Sequence, residues 1–241
     1  MSKLRAHIFV LSWPAVAENV AAMIAALAPV EARKTVIDTS RALACDLTGW
    51  EYIGIAADSL FGRQMELAVR LFDGDVFICI NGDVHCNDWA ELVTRCVARF
   101  DAVPQIGVWS PNIENTGWMT ALVSLGLTTD PMLHVVAQTG AFVWALRPAV
   151  VERFCALGLF ANNIGWGIDW VGMVAAYSNG LVAVRDQTVS VDRLITAEVS
   201  PDGAHEQMLA LFEELTGAER ALLCLLHRAL GIGMPFEYRI P

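Results

Sequence analysis

The stretch DVFICINGDVH, residues 75–85, decides the fold of this 241-residue chain. Its apolar part, 76–80, is the most strand-like run in the sequence and is typical of a strand buried on both faces of a parallel sheet. Asn81-Gly82-Asp83 then ends the strand with the residue types of a turn. Because ligands bind at the carboxyl ends of parallel strands, this turn is a candidate site.

The same pattern repeats around this stretch. Further strands are predicted at 6–11, 35–38, 52–56 and 106–109, with helices between them at 14–27, 60–72 and 88–100. Strands that alternate with helices predict an α/β, Rossmann-like fold, in which a mostly parallel sheet has helices on both faces.

The second half of the chain is less regular. Residues 111–131 are rich in Asn, Thr and Gly and predict a long loop. Short strands are predicted at 132–136, 141–146, 181–184 and 188–191, and helices at 147–157 and 170–177. Pro201-Asp202-Gly203 marks a boundary before an amphipathic helical pair. We therefore expect one domain over 1–200, with halves 1–110 and 111–200, and a helical C-terminal extension over 201–241.

Composition narrows the class of protein. Hydrophobic residues make up 55% of the chain, and the net charge is -10. The absence of a Lys/Arg cluster argues against a nucleic-acid partner. No apolar run is long enough for a transmembrane helix or a signal peptide, so we expect a cytoplasmic protein whose six cysteines are reduced and mostly buried. The apolar stripe of the tail packs on the domain, or else contacts a second copy or a membrane surface.

Asp83-Val84-His85 is a candidate metal site. A carboxylate and an imidazole at this spacing beyond a strand can reach one cation, Mg²⁺ or, with the imidazole, Mn²⁺. Such a cation would bridge two phosphates, and Gly82 would let the backbone pass close to them. The alternative is a solvated turn in which Asn87 or Asp88 caps the next helix.

The loop GWGIDW, residues 165–170, is a candidate acceptor site. Gly167 permits close approach, the Trp166 indole can stack on a sugar, and Asp169 can accept a proton from an attacking hydroxyl. The alternative makes Asp169 a helix N-cap and the two tryptophans core anchors. Gly140 lies in a turn between strands that face the same site.

Taken in order, these segments resemble the GT-A-fold glycosyltransferases, especially the large family 2. Members open with an apolar strand that ends in a Ser/Thr and Pro turn, as residues 10–14 do here with Ser12. Their second strand ends in an aspartate that contacts the nucleoside, matched by Asp38. Asp58 stands where a polar residue often completes that pocket.

The family's metal motif is Asp-x-Asp after a strand, and two registers fit it. In one, Asn81-Gly82-Asp83 is the motif, with Asn in place of the first acid. In the other, Asp83-Val84-His85 is the motif, as in the Asp-x-His of the polypeptide N-acetylgalactosaminyltransferases. Asp83 belongs to both registers. The resemblance thus implies Mn²⁺ or Mg²⁺ beside the diphosphate.

Downstream, residues 139–148 resemble the family's "Gly-x-Phe, then Arg-Arg" segment. Residues 165–169 are similar to its "Gly-Trp-Gly-Glu-Asp" loop, which carries the base of inverting members. Only Asp169 keeps an acid there, so it is the candidate base, with Gly140, Trp166 and Gly167 near the acceptor. Asp192 stands where a late metal-binding His often lies, so it is a candidate third ligand.

The resemblance implies an inverting glycosyltransferase that moves a sugar from a nucleotide diphosphate sugar to a saccharide, lipid-linked or other hydroxyl acceptor. A degenerate GT-A fold used as a binding or scaffold module is the main alternative, because acids are missing from two motifs. A nucleotidyltransferase would need a Gly-rich, basic first loop, which residues 12–19 lack.

Overall fold

A ten-stranded sheet forms the centre of the computed structural model, which describes residues 4–41, 43–194 and 203–232. The strands are β1 Ala6–Ser12, β2 Arg33–Asp38, β3 Glu51–Gly54, β4 Val76–Asn81, β5 Val84–His85, β6 Ile106–Glu114, β7 Ser124–Leu127, β8 Leu133–Val136, β9 Val143–Leu146 and β10 Val182–Arg193. The helices are α1 Ala17–Leu27, α2 Phe61–Leu71, α3 Trp89–Ala102, α4 Thr120–Val123, α5 Pro148–Leu157, α6 Ile168–Ser178, α7 Ala204–Glu213 and α8 Gly217–Ala229, and a 3-10 turn at Pro14–Val16 precedes α1.

The strand order is β3-β2-β1-β4-β9-β6-β10-β8-β7, and β5 pairs with β10 outside this path. β3, β2, β1 and β4 are mutually parallel, as predicted. β9 runs antiparallel between β4 and β6, and β7 and β8 also form antiparallel pairs. The mostly parallel α/β fold is confirmed, with antiparallel strands in its second half.

Helices cover both faces of the sheet, as the packing of β1 shows. Phe9 and Leu11 pack with residues of α2, α5 and α6, whereas Ile8 and Val10 pack with residues of α1 and α3. Successive strand residues point to opposite faces, so a strand covered on both sides is apolar throughout.

The prediction of a long loop over 111–131 is wrong. β6 continues to Glu114, and α4 and β7 follow it. β10 lies beside β6 and pairs Asn112 with Ser190 and Glu114 with Asp192. This tertiary pairing overrides a composition that favours a loop. The two strands predicted at 181–184 and 188–191 are one strand, β10, with a register shift between Asp186 and Ser190.

The tail packs on the domain through α6. Phe212, Leu223 and Leu226 are buried in the same core cluster as the residues of α6. Thr216 begins α8 with a capping box, in which Glu219 returns the hydrogen bond. Arg153 of α5 holds Glu219 with an Nε–Oε1 distance of 2.6 Å.

Two further expectations concern the cysteines and the membrane. All six cysteines are free, but only Cys79 and Cys96 are buried, because the other four lie in loops or on outward sides of helices. The expectation that most are buried is wrong. Among the described residues, no helix has the length and apolar composition needed to cross a bilayer.

Candidate functional site

Polar residues meet at the carboxyl edge of the parallel strands. Ser12 at the end of β1 lies opposite Asp38 at the end of β2, and Leu11 lies opposite Asn81 at the end of β4. Ser12 and Asp38 are fully buried. The parallel register thus brings three predicted site residues to one edge.

Asp38 is held as a carboxylate. Ser40 donates to Oδ1 from its backbone N at 2.9 Å and from its hydroxyl at 2.7 Å, and the Tyr52 hydroxyl donates to Oδ2 at 3.0 Å. Burial alone would raise the pKa of Asp38, but the hydrogen bonds of Ser40 and Tyr52 outweigh it and lower the pKa. Tyr52 was not predicted to belong to the site. Asp58 is exposed, and its carbonyl accepts a hydrogen bond from Asn163.

The turn after β4 is fixed by the first helix. Asn19 of α1 donates from Nδ2 to the carbonyls of Gly82 at 2.8 Å and Val84 at 2.7 Å. A Cβ on Gly82 would lie 2.6 Å from Val16 Cγ2 and 2.7 Å from the Leu11 carbonyl oxygen. The small size of Gly82 is therefore required by packing, and its predicted contact with phosphate stays a prediction.

Asp83 is buried beside a guanidinium. Its Oδ2 lies 3.7 Å from Arg193 Nε, and burial raises the pKa of Asp83 although Arg193 acts to lower it. Asp83 Oδ1 and Asn81 Oδ1 are buried and have no hydrogen-bond partner among the described residues. Sequence reasoning missed Arg193, because only the pairing of β5 with β10 brings it to Asp83.

The other predicted metal ligands lie elsewhere. His85 and Asp192 are exposed and directly opposite each other in the β5–β10 pair, whereas Arg193 is opposite Val84. Neighbouring strand residues point to opposite faces, so Asp192 is directed away from the face of Arg193. Within the described ranges, no three His, Cys, Asp or Glu side chains are arranged to hold a metal. The predicted set of Asp83, His85 and Asp192 is not brought together and does not fit one shared divalent ion.

The loop over residues 137–142, the Gly140 loop, adjoins the end of β4. Asn81 N donates to the Phe142 carbonyl at 2.9 Å. Gln138 Oε1 accepts from the backbone N of Gly140 at 3.1 Å, and Gly140 has a φ of +71°, which favours glycine. Fully buried Arg185 donates to the carbonyls of Thr139 and Trp118, so it joins this loop to Trp118.

Asp169 lies in the first turn of α6, and its Oδ1 accepts from Trp170 N at 2.9 Å. Burial raises the pKa of Asp169 to about 6. The Trp170 ring meets Trp118 edge-on, with centroids 5.7 Å apart, and Trp118 lies against Gly140. This series of contacts links Asp169 to the Gly140 loop.

The loop before Asp169 is tied to the same edge of the sheet. Asn163 accepts from the backbone N of Leu60 and of Gly62, both at 2.9 Å, where α2 begins beyond the carboxyl end of β3. Trp166 is exposed. Gly167 is buried with a φ of +84°, and a Cβ on it would lie 2.7 Å from Met208 Cγ of α7. Its small size thus accommodates α7, and its acceptor contact stays a prediction.

Comparisons with known proteins give structural matches alone. No protein-family model matches the chain, and no curated protein matches its sequence. The chain is similar in structure to TarS of S. aureus in complex with UDP-GlcNAc, with a TM-score of 0.62 and 14% identity over 92% of this chain and 72% of that one.

Two further solved structures are similar. The mannosyltransferase PcManGT from Pyrobaculum calidifontis, in complex with GDP-Man and Mn²⁺, has a TM-score of 0.63 and 11% identity over 96% of this chain and 73% of that one. The glucosyl-3-phosphoglycerate synthase from Mycobacterium tuberculosis, in complex with Mn²⁺, UDP and glucosyl-3-phosphoglycerate, has a TM-score of 0.52 and 14% identity over 95% and 81%. This chain has the GT-A fold that these glycosyltransferases share.

Proposed function

We propose that this chain is a glycosyltransferase that moves a sugar from a nucleotide diphosphate sugar to an acceptor hydroxyl. The observation that carries the proposal is the convergence of Ser12, Asp38 and Asn81 at one sheet edge, to which the loop before Asp169 is tied. Similar structures bind UDP-GlcNAc and GDP-Man on the same fold, which supports a nucleotide sugar as donor.

The two ends of the donor have different partners. The ionised Asp38, with Tyr52 beside it, suits the hydroxyls of a nucleoside, and Ser12 lies opposite Asp38 at the end of β1. A role for the exposed Asp58 in that pocket stays a prediction. The turn over 81–83 faces the diphosphate, with Asn81 and the Arg193-paired Asp83 as its polar side chains. The nucleotide therefore lies along the carboxyl edge from β2 to β4.

Asp169 is the proposed general base. The acceptor oxygen forms a bond to the anomeric carbon of the sugar while the bond from that carbon to the β-phosphate oxygen breaks, and its electron pair leaves with the diphosphate. Asp169 takes the acceptor proton, and attack on the face opposite the leaving group inverts the anomeric centre. The exposed Trp166 indole offers a stacking surface to a saccharide, lipid-linked or other hydroxyl acceptor.

These steps use groups of this chain. Mn²⁺ accompanies two of the similar structures, but Asp83, His85 and Asp192 do not form a shared site here. When bound, such an ion would neutralise charge on the departing diphosphate.

The test is a screen of nucleotide diphosphate sugars for hydrolysis and transfer, with Asp169→Asn as the variant. We expect one donor to be turned over by the unchanged chain and Asp169→Asn to lower kcat by about 10²- to 10⁴-fold, with donor affinity preserved. Binding of a donor with no turnover on any acceptor would favour the scaffold alternative. Unchanged kcat in Asp169→Asn would refute its role as base.

A further inference from the structure

Arg193 stands where a cation would be expected beside Asp83. The Arg193 Nε lies 3.7 Å from Asp83 Oδ2, and the guanidinium carbon lies 4.6 Å from the centroid of the Phe142 ring. Phe142 also accepts the backbone hydrogen bond from Asn81. One positive side chain is thus placed over the turn that ends β4.

The backbone fixes this position. Arg193 is paired with Val84 in the β5–β10 ladder, and Leu194 N donates to the Asp83 carbonyl at 2.7 Å. Asn19 of α1 holds the other side of the same turn. The guanidinium is therefore presented by a strand pair and an aromatic ring, which restricts its freedom before any ligand arrives.

The charges of the turn balance without a divalent ion. Asn81 is neutral, so Asp83 is the one carboxylate of the turn over 81–83, and Arg193 supplies one positive charge against it. A second cation beside Asp83 would meet the repulsion of the guanidinium. His85 and Asp192, exposed on the other face, do not offset that repulsion.

Arg193 also keeps donors for a ligand. Its side chain is 39% exposed, although its Nε is buried on the side that faces Asp83. A planar guanidinium can hold a carboxylate on one side and offer parallel N–H groups to phosphate oxygens on another. Phosphate oxygens accept such hydrogen bonds.

We propose that Arg193, positioned by Asp83 and Phe142, binds the diphosphate of the donor and supplies the positive charge that a metal ion would otherwise supply. This rests on the proposed glycosyl transfer. As the bond from sugar to phosphate oxygen breaks, the released charge develops on the diphosphate in contact with Arg193. The site therefore binds nucleoside diphosphates with no divalent ion present.

Calorimetry with UDP, GDP, ADP and CDP, and with their nucleosides, tests this. In EDTA, we expect the unchanged chain to bind one diphosphate better than its nucleoside, and Mn²⁺ to change that affinity by less than about threefold. Arg193→Gln should weaken diphosphate binding by about tenfold or more and leave nucleoside binding unchanged. Arg193→Lys, which keeps the charge, should weaken diphosphate binding less than Arg193→Gln does.

A matched control is Arg95→Gln, which removes an exposed arginine paired with Glu91 on α3 and should leave binding unchanged. Because Arg193→Gln leaves buried Asp83 without its cation, its thermal melting is compared with that of the double variant Asp83→Asn/Arg193→Gln, which removes both charges. The double variant should also lose the preference for diphosphate over nucleoside.

The results separate the two proposals. Diphosphate binding that disappears in EDTA and returns with Mn²⁺ would overturn the role of Arg193 and leave glycosyl transfer standing. An unchanged preference for diphosphate in Arg193→Gln would do the same. Failure of every nucleoside diphosphate to bind, with and without Mn²⁺, would overturn both.

Discussion

Asp83 and Asp169 of the site differ in what surrounds them. Burial raises the pKa of both Asp83 and Asp169, but Arg193 counteracts this at Asp83, whereas backbone N–H groups oppose it at Asp169. Asp169, with a pKa of about 6, titrates close to neutral pH. A base is most effective when its pKa lies near the working pH, so Asp169 suits proton abstraction and Asp83 suits charge pairing.

The rate of transfer should depend on pH through Asp169. Only the carboxylate can accept a proton, and its pKa is raised from 3.8 to about 6. Activity should therefore be lost as pH falls through about 6 and become constant above about pH 7. The measurement is kcat/KM from acid to neutral pH. A midpoint near the ordinary pKa of an aspartate would contradict this assignment.

At the scale of elements, the site depends on how α1 meets the turn after β4. Val16 and Val20 close on Gly82 from one side, and Asn19 binds the carbonyls on both sides of Asp83. A turn held by both side-chain packing and hydrogen bonds keeps Asp83 in one position. The rigid part of the site is thus the β1–α1–β4 unit.

Replacing Gly82 by alanine should destabilise this unit. The added Cβ would lie 2.7 Å from the Leu11 carbonyl oxygen, which the pairing of β1 in the sheet prevents from moving away. Overpacking of this kind costs about 1–3 kcal/mol of the free energy of unfolding. Gly126→Ala is the control, since a Cβ on Gly126 meets nothing within 4 Å. Equal denaturant midpoints for the two variants would contradict the packing argument.

At the scale of the whole molecule, the C-terminal helices are part of the main core. Leu211, Phe212, Leu223 and Leu226 are buried in the cluster that includes Trp170 and the rest of α6. The Trp170 ring also lies 4.1 Å from the His227 ring, centroid to centroid. The tail therefore supports the helix that begins beside Asp169.

Two leucines of α8 test this packing. Leu223 is fully buried and Leu225 is 61% exposed. Leu223→Ala should cost about 2–5 kcal/mol of unfolding free energy, because it removes core contacts and leaves a cavity. Leu225→Ala should change it by less than about 0.5 kcal/mol. Thermal or denaturant unfolding measures both, and similar losses in the two variants would show that α8 is not packed as described.

The sequence by itself determined the parallel core and its site edge. Strands β1, β2 and β4 follow from apolar runs, and the polar residues that end them follow directly in the chain, so local pattern placed Ser12, Asp38 and Asn81 at one edge. These signals are short-range, because each depends on residues within one strand and its turn.

Tertiary structure alone decided the partners of these residues. Tyr52 reaches Asp38 from the neighbouring strand, and Arg193 reaches Asp83 from β10, 110 positions later in the chain. β10 is continuous, and β6 extends to Glu114, because β6 and β10 pair along their length. Pairings between distant strands leave no local periodicity in the sequence. The position of the Arg193 charge beside Asp83 therefore follows only from the pairing of β5 with β10.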